Sequence, residues 1–155
     1  MTSGKESAGL LLYRTRDGRP EVLLVHPGGP FWRRRDEGAW SIPKGEIEPG
    51  ETPAEVARRE FHEELGQWPP DGELTPLGSI RQAGGKVVHA WAAEGDFDID
   101  RVESVSFELE WPPRSGRTQQ FPEVDKAGWF DLDAGRRMVL AAQKTFIDRL
   151  EEARL

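Results

Sequence analysis

Glu60, Glu63 and Glu64 set three carboxylates within five consecutive residues, inside the stretch GEIEPGETPAEVARREFHEELGQ that spans residues 45–67. At helical i,i+3 and i,i+4 spacing like charges repel, so the arrangement adds no helix stability of its own. An acidic run of this kind is most often a solvated face. Here Glu63 and Glu64 fall at the C-terminal end, where the helix dipole disfavours negative charge, and solvation leaves that placement unexplained. Carboxylate oxygens are preferred ligands of Mg²⁺ and Mn²⁺, which take few protein ligands and complete their shell with water and substrate phosphates. A divalent cation would turn three repelling carboxylates into a stable cluster.

The element that must carry these groups is a helix. Thr52 suits its N-cap, Pro53 the first turn, and Glu55 can close a capping box, while Gly66 suits the C-terminal stop. At 100° per residue Ala54, Ala57, Phe61 and Leu65 share one side, and the three glutamates share another with Arg59 at its border. The apolar side is expected on a sheet, which turns the acidic side toward a loop or cleft. Residues 8–13 and 21–26 read as a strand pair around the turn Arg16-Asp17-Gly18-Arg19-Pro20. A brief strand is expected at 40–42 and further strands at 74–81, 87–93, 102–111 and 127–130. From Asp133 onward, Met138, Ala142, Phe146 and Leu150 recur every four residues and predict one closing amphipathic helix. Two helices against five or so strands make a mixed α/β domain.

The bulk numbers bound the function classes. With 155 residues, 36% hydrophobic and 32% charged, the chain suits one globular domain over residues 1–155. The net charge of −7 argues against broad binding to nucleic acid or an anionic membrane. Without cysteine there is no disulfide, thiol catalysis or thiolate metal site. No apolar run is long enough to span a bilayer, and residues 1–7 do not read as a signal peptide, so a cytoplasmic location is expected.

The stretch resembles the Nudix box, G-x5-E-x7-R-E-U-x-E-E-x-G-U, where U is a bulky apolar residue. Gly45, Glu51, Arg59, Glu60, Phe61, Glu63, Glu64 and Gly66 fall in register, and only Gln67 departs from it. The resemblance implies an α/β/α sandwich around a mixed sheet with a loop-helix-loop catalytic motif. It also implies hydrolysis of a nucleoside diphosphate derivative with Mg²⁺ or Mn²⁺. By the same resemblance Glu60, Glu63 and Glu64 are metal ligands, joined by the backbone carbonyl of Lys44 or Gly45. Arg59 orients its neighbouring glutamates and Glu51 supports the loop. In some members a loop glutamate shortly before a Trp-containing strand is the general base, and Glu123, six residues before Trp129, is similar to it. Glu108 and Glu110 are further candidates.

Substrate contacts follow from what remains. WSIPKGE, with Lys44, resembles the same segment of dinucleoside-polyphosphate and diphosphoinositol-polyphosphate hydrolases, and a lysine there can pair with a phosphate. In the loop 26–38, Phe31 and Trp32 can stack on a base, while Arg33, Arg34 and Arg35 can meet phosphates. His26, His62 and His89 show no ligand spacing and are given no part. Trp91, Trp111 and Trp129 read as core. The expectation is a metal-dependent Nudix hydrolase, monomer or homodimer, acting on a small phosphorylated molecule such as a nucleoside triphosphate or dinucleoside polyphosphate. A non-catalytic Nudix-fold nucleotide-binding module is the alternative.

Overall fold

Leu10, Leu11 and Leu12 are all fully buried, so the strand that carries them must be covered on both faces. The computed structural model describes residues 5–154, and the signal-peptide expectation rests in part on residues 1–4, which lie outside them. In chain order the elements are β1 (Glu6–Arg16), β2 (Arg19–Pro27), β3 (Lys44–Glu46), α1 (Pro53–Leu65), β4 (Thr75–Arg81), β5 (Val87–Glu94), β6 (Ser106–Glu110), β7 (Thr118–Pro122), β8 (Val124–Asp131), α2 (Leu132–Met138) and α3 (Lys144–Arg154). Short 3-10 turns lie at Ile99–Arg101 and Ala141–Gln143.

The main sheet runs β4-β5-β1-β2-β8, with β3 added to β1. β1 and β5 are parallel and the other pairs antiparallel, so the sheet is mixed. Alternation sorts the strand side chains between two cores. Leu10, Leu12, Leu23 and Val25 face Val56, Ala57, Phe61 and Leu65 of α1. Leu11, Val22 and Leu24 face Met138 of α2 and Phe146, Ile147 and Leu150 of α3. The result is the expected α/β/α sandwich.

Five expectations need correction. The brief strand at 40–42 is reduced to single bridges, Val25 to Ser41 and Trp40 to Val139, and regular pairing starts at Lys44. Pro43 has no N–H to give a ladder, and at this point the chain crosses from the edge of β2 to that of β1. The strand expected over 102–111 survives only as β6, because Glu103 and Val105 donate their N–H groups to the Leu65 and Glu63 carbonyls instead. β6 pairs with β7 in a separate two-stranded sheet, and Trp111 stands on that hairpin rather than in the core. The closing helix is broken between α2 and α3, where Trp40 donates to the Met138 carbonyl and accepts from Leu140, holding Val139 extended. Thr52 does occupy the N-cap, but it makes no side-chain cap bond and no capping box forms; Pro53 has already removed one donor from the first turn.

Candidate functional site

The last turn of α1 points its acidic side at β3. Gly66 ends the helix at φ 84°, and its N–H donates to the His62 carbonyl over 2.7 Å. A residue with a Cβ would strain at that φ. The preceding carbonyls are taken up from outside: Glu63 O accepts from Val105 N–H at 3.0 Å and Leu65 O from Glu103 N–H at 3.1 Å. Val105 in turn accepts from the Glu123 N–H at 2.8 Å. A short backbone relay therefore carries Glu123, distant in sequence, to the end of α1.

Residues of the acidic stretch and the loop before it then interlock. The backbone N–H of Lys44 donates to Glu64 Oε2 at 3.1 Å. The Glu60 carboxylate lies so close over Gly45 that a Cβ there would overlap it. Arg59 donates to Glu51 Oε2 through Nη1, while its Nε stands 3.6 Å from Glu60 and 3.8 Å from Glu63. Glu51 Oε1 also accepts from the Glu48 N–H at 2.8 Å, which ties down the loop ahead of the helix. The Arg59 guanidinium holds the Glu51 carboxyl below the usual carboxylate range.

Electrostatically the buried carboxylates are only partly offset by Arg59 and Lys44. Burial, with the nearby Glu60 and Glu123 carboxylates adding to it, pushes Glu64 up to about 8, although Lys44 opposes the shift. Burial and a hydrogen bond shared with Glu63 raise Glu60 as well. Burial, then the Lys86 cation, pulls Lys44 below the usual lysine range. Lys44, Gly45, Glu46, Glu60, Glu63, Glu64, Lys86, Val105 and Glu123 line one cleft of about 390 Å³. Among the described residues no three acidic or histidine side chains already converge as a ready metal-ligand set. The donor chemistry nonetheless suits a hard cation, since the oxygens of Glu60 and Glu64 face the same cleft and a positive charge there would lower their raised pKa values.

A second cavity, of about 200 Å³, adjoins the first and shares Lys44, Glu64 and Glu123 with it. Trp32 forms part of its wall with Val25, Ser41 and Leu140. The loop bearing Trp32 is pinned rather than free. His26 is 2% exposed, with Nδ1 2.9 Å from Asp125 Oδ1 and Nε2 2.6 Å from the Arg35 carbonyl. His26 therefore has a structural task that its spacing did not reveal. Arg34 and Arg35 line neither cleft; the Arg35 guanidinium lies 5.5 Å from the centre of the Trp32 ring. Phe31 is 62% exposed and meets Trp111 edge-on, with ring centres 5.5 Å apart. Glu108 and Glu110 bond to Gln120 and Gly116 on the hairpin and line neither cleft. Lys86 was missed because a lone lysine after two glycines carries no pattern; only the β4–β5 turn brings it here.

A family model described as the NUDIX domain matches residues 5–150. The chain belongs to the Nudix family. Nudix enzymes generally use divalent metal ions. Over 54 residues the chain is 43% identical to an RNA pyrophosphohydrolase of Francisella tularensis subsp. mediasiatica, which covers 34% of this chain and 35% of the relative. It is 41% identical over 54 residues to an RNA pyrophosphohydrolase of Pseudoalteromonas translucida, covering 34% of this chain and 31% of that protein. The match thus spans about a third of the length of these curated relatives. Among solved Nudix folds, the NUDIX domain of Shewanella oneidensis NrtR, complexed with ADP ribose, superposes with TM-score 0.67 at 20% identity, covering 100% of this chain and 91% of that one. The C. elegans Ap4A hydrolase binary complex gives 0.64 at 22% identity and 96% coverage of both chains. At such identity these two similarities speak for the fold alone. No helix among the described residues is long and apolar enough to cross a membrane.

Proposed function

We propose that the chain is a diphosphohydrolase that cleaves a diphosphate linkage in a nucleoside diphosphate derivative, with a nucleoside triphosphate or dinucleoside polyphosphate favoured. The observation that carries this reading is the pair of adjoining cavities, one acidic and flanked by two lysines, the other walled by Trp32, sharing Lys44, Glu64 and Glu123. Glu60, Glu63, Glu64 and the carbonyl of Gly45 would hold Mg²⁺ or Mn²⁺. Such an ion supplies charge neutralisation of the diphosphate and eases deprotonation of the attacking water.

The remaining work falls to the chain's own groups. Arg59 fixes Glu51 and steadies Glu63, so that the loop and the helix keep one spacing. Lys44 and Lys86 offset the charge of the phosphates as point cations. Glu123, exposed at the cleft rim and held by the Val105 relay, accepts the proton of the attacking water. Trp32 stacks on the nucleobase. Arg34 and Arg35, outside both clefts, are left with the outer part of a longer substrate. A cytoplasmic setting goes with a nucleotide substrate.

A second substrate reading comes from the relatives named RNA pyrophosphohydrolase. It is a 5′-triphosphorylated RNA end, which would enter the same two cavities. The net charge of −7 weighs against gripping a long RNA tract, so the terminal nucleotides would supply most of the contact. The deciding experiment is a panel of nucleoside triphosphates, dinucleoside polyphosphates, ADP-ribose and 5′-triphosphorylated RNA, each with Mg²⁺ or Mn²⁺. Turnover of one class at the diphosphate linkage is expected. Tight binding with no turnover of any member would favour the non-catalytic module.

A further inference from the structure

Gln143 is fully buried, yet its amide makes three hydrogen bonds. A leucine would fill similar volume with no polar group to satisfy, so packing alone does not account for an amide at this position. Its Oε1 accepts from the backbone N–H of Ile42 at 3.0 Å. Its Nε2 donates to Ser41 Oγ at 3.0 Å and to Gln82 Oε1 at 2.8 Å.

The partners lie on two different segments, each leading to a lysine of the cleft. Ser41 and Ile42 sit where the chain crosses from β2 to β1, just before Pro43 and Lys44, and the Ile42 N–H at this crossing is taken up by Gln143. Gln82 opens the β4–β5 turn: its N–H donates to the Lys86 carbonyl at 2.8 Å, and its own carbonyl accepts from Gly85 at 3.0 Å. Lys44 and Lys86 line the same cleft from β3 and from the end of the β4–β5 turn. Backbone pairing ties both segments to β1, and Gln143 adds the side-chain link between the two approaches.

We propose that Gln143 is a positioning residue that sets the spacing of Lys44 and Lys86 across the cleft, and with it the fit of a substrate's phosphate chain. The inference rests on the phosphate-binding part of the proposed function. It concerns Gln82 as much as Gln143, because the Gln82 side chain is the arm that reaches the turn.

Gln82 is the better test position, since it is only partly buried and lines neither cleft. Gln82→Met keeps the side-chain length and removes the acceptor. With the best substrate of the panel, KM should rise about fivefold, the scale of one lost hydrogen bond or ion pair, with kcat within about twofold. Lys86→Met should raise KM similarly, and the double variant should be no worse than Lys86→Met alone, because Gln82 acts through that lysine. Calorimetric titration with inorganic tripolyphosphate in saturating Mg²⁺ should show the same ordering in Kd. A lowered Tm with unchanged KM and Kd would mark Gln82 as merely structural and overturn the proposal. So would effects of Gln82→Met and Lys86→Met that multiply in the double variant. If the wild-type protein turns over no substrate, the proposed function fails, and the tripolyphosphate titration alone decides this inference.

Discussion

Glu64 is caught between opposed demands. Burial favours its neutral form, whereas the adjacent Lys44 cation and backbone N–H favour its carboxylate, and burial prevails with a pKa near 8. Glu64→Gln retains an acceptor for the Lys44 N–H and removes the charge. Hydrolysis should fall at least about a hundredfold, as loss of a metal-site group commonly costs. In metal-free buffer at pH 8 the variant should melt unchanged or about 2–4 °C higher, the scale of 1 kcal/mol for a domain of this size. Near wild-type turnover of Glu64→Gln would end the metal-site assignment. Trp32 lies in the wall of the other cavity. Trp32→Ala should raise KM about tenfold, the scale of one base–aromatic stack, with little change in kcat or Tm. A variant that melts several degrees lower with unaltered KM would make Trp32 a packing residue.

At the scale of elements, the site is a joint between β3 and α1, closed by the segment at 103–105. Gly45 is where strand and helix come nearest, with the Glu60 carboxylate lying over it. Gly45→Ala should therefore leave the fold in place while displacing Glu60, and weaken Mn²⁺ binding about 10- to 100-fold by titration calorimetry. Unchanged Mn²⁺ affinity would show that Glu60 has room to move. Elements with local signals were legible in advance. The α1 helix carries its own apolar stripe, Pro53 and Gly66, and β1 and β2 flank a turn whose Asp17 and Gly18 take positive φ. β7 was not legible, because Thr118–Pro122 is largely exposed and shows no apolar alternation. The break after Met138 was equally hidden, since the four-residue apolar repeat runs straight across it; the interruption comes from Trp40, far away in sequence. The same division holds in the candidate site. Glu51, Arg59, Glu60, Glu63 and Glu64 were legible because one helix and its loop space them. Lys86, Gln143 and His26 depend on long-range pairing and left no local trace.

For the whole molecule, burial of the acidic cluster couples stability to pH, and the proposed cation site would couple it to Mn²⁺ as well. Glu64 rises from the ordinary 4.5 to about 8 on folding. Between those values the folded state holds a proton that the unfolded chain releases, so this contribution is complete below about 4.5 and is lost as pH rises through about 8. Glu60 shifts in the same direction. Metal-free protein should thus lose Tm from pH 6 to pH 8, and millimolar Mn²⁺ should restore more of it at pH 8 than at pH 6. A metal-free Tm that climbs over this interval would contradict the burial of Glu64. The parallel pairing of β1 with β5 has a further, kinetic consequence. Those strands meet across roughly eighty residues, and the intervening loop contains β2, β3, α1 and β4. Closing so long a loop is slow, and the carboxylates of α1 gain their full surroundings only once it is closed and β8 has docked behind it. A ligand of that late-formed site holds together the finished structure without guiding its assembly. Stopped-flow measurements should accordingly find that Mn²⁺ slows unfolding several-fold and leaves the refolding rate nearly unchanged.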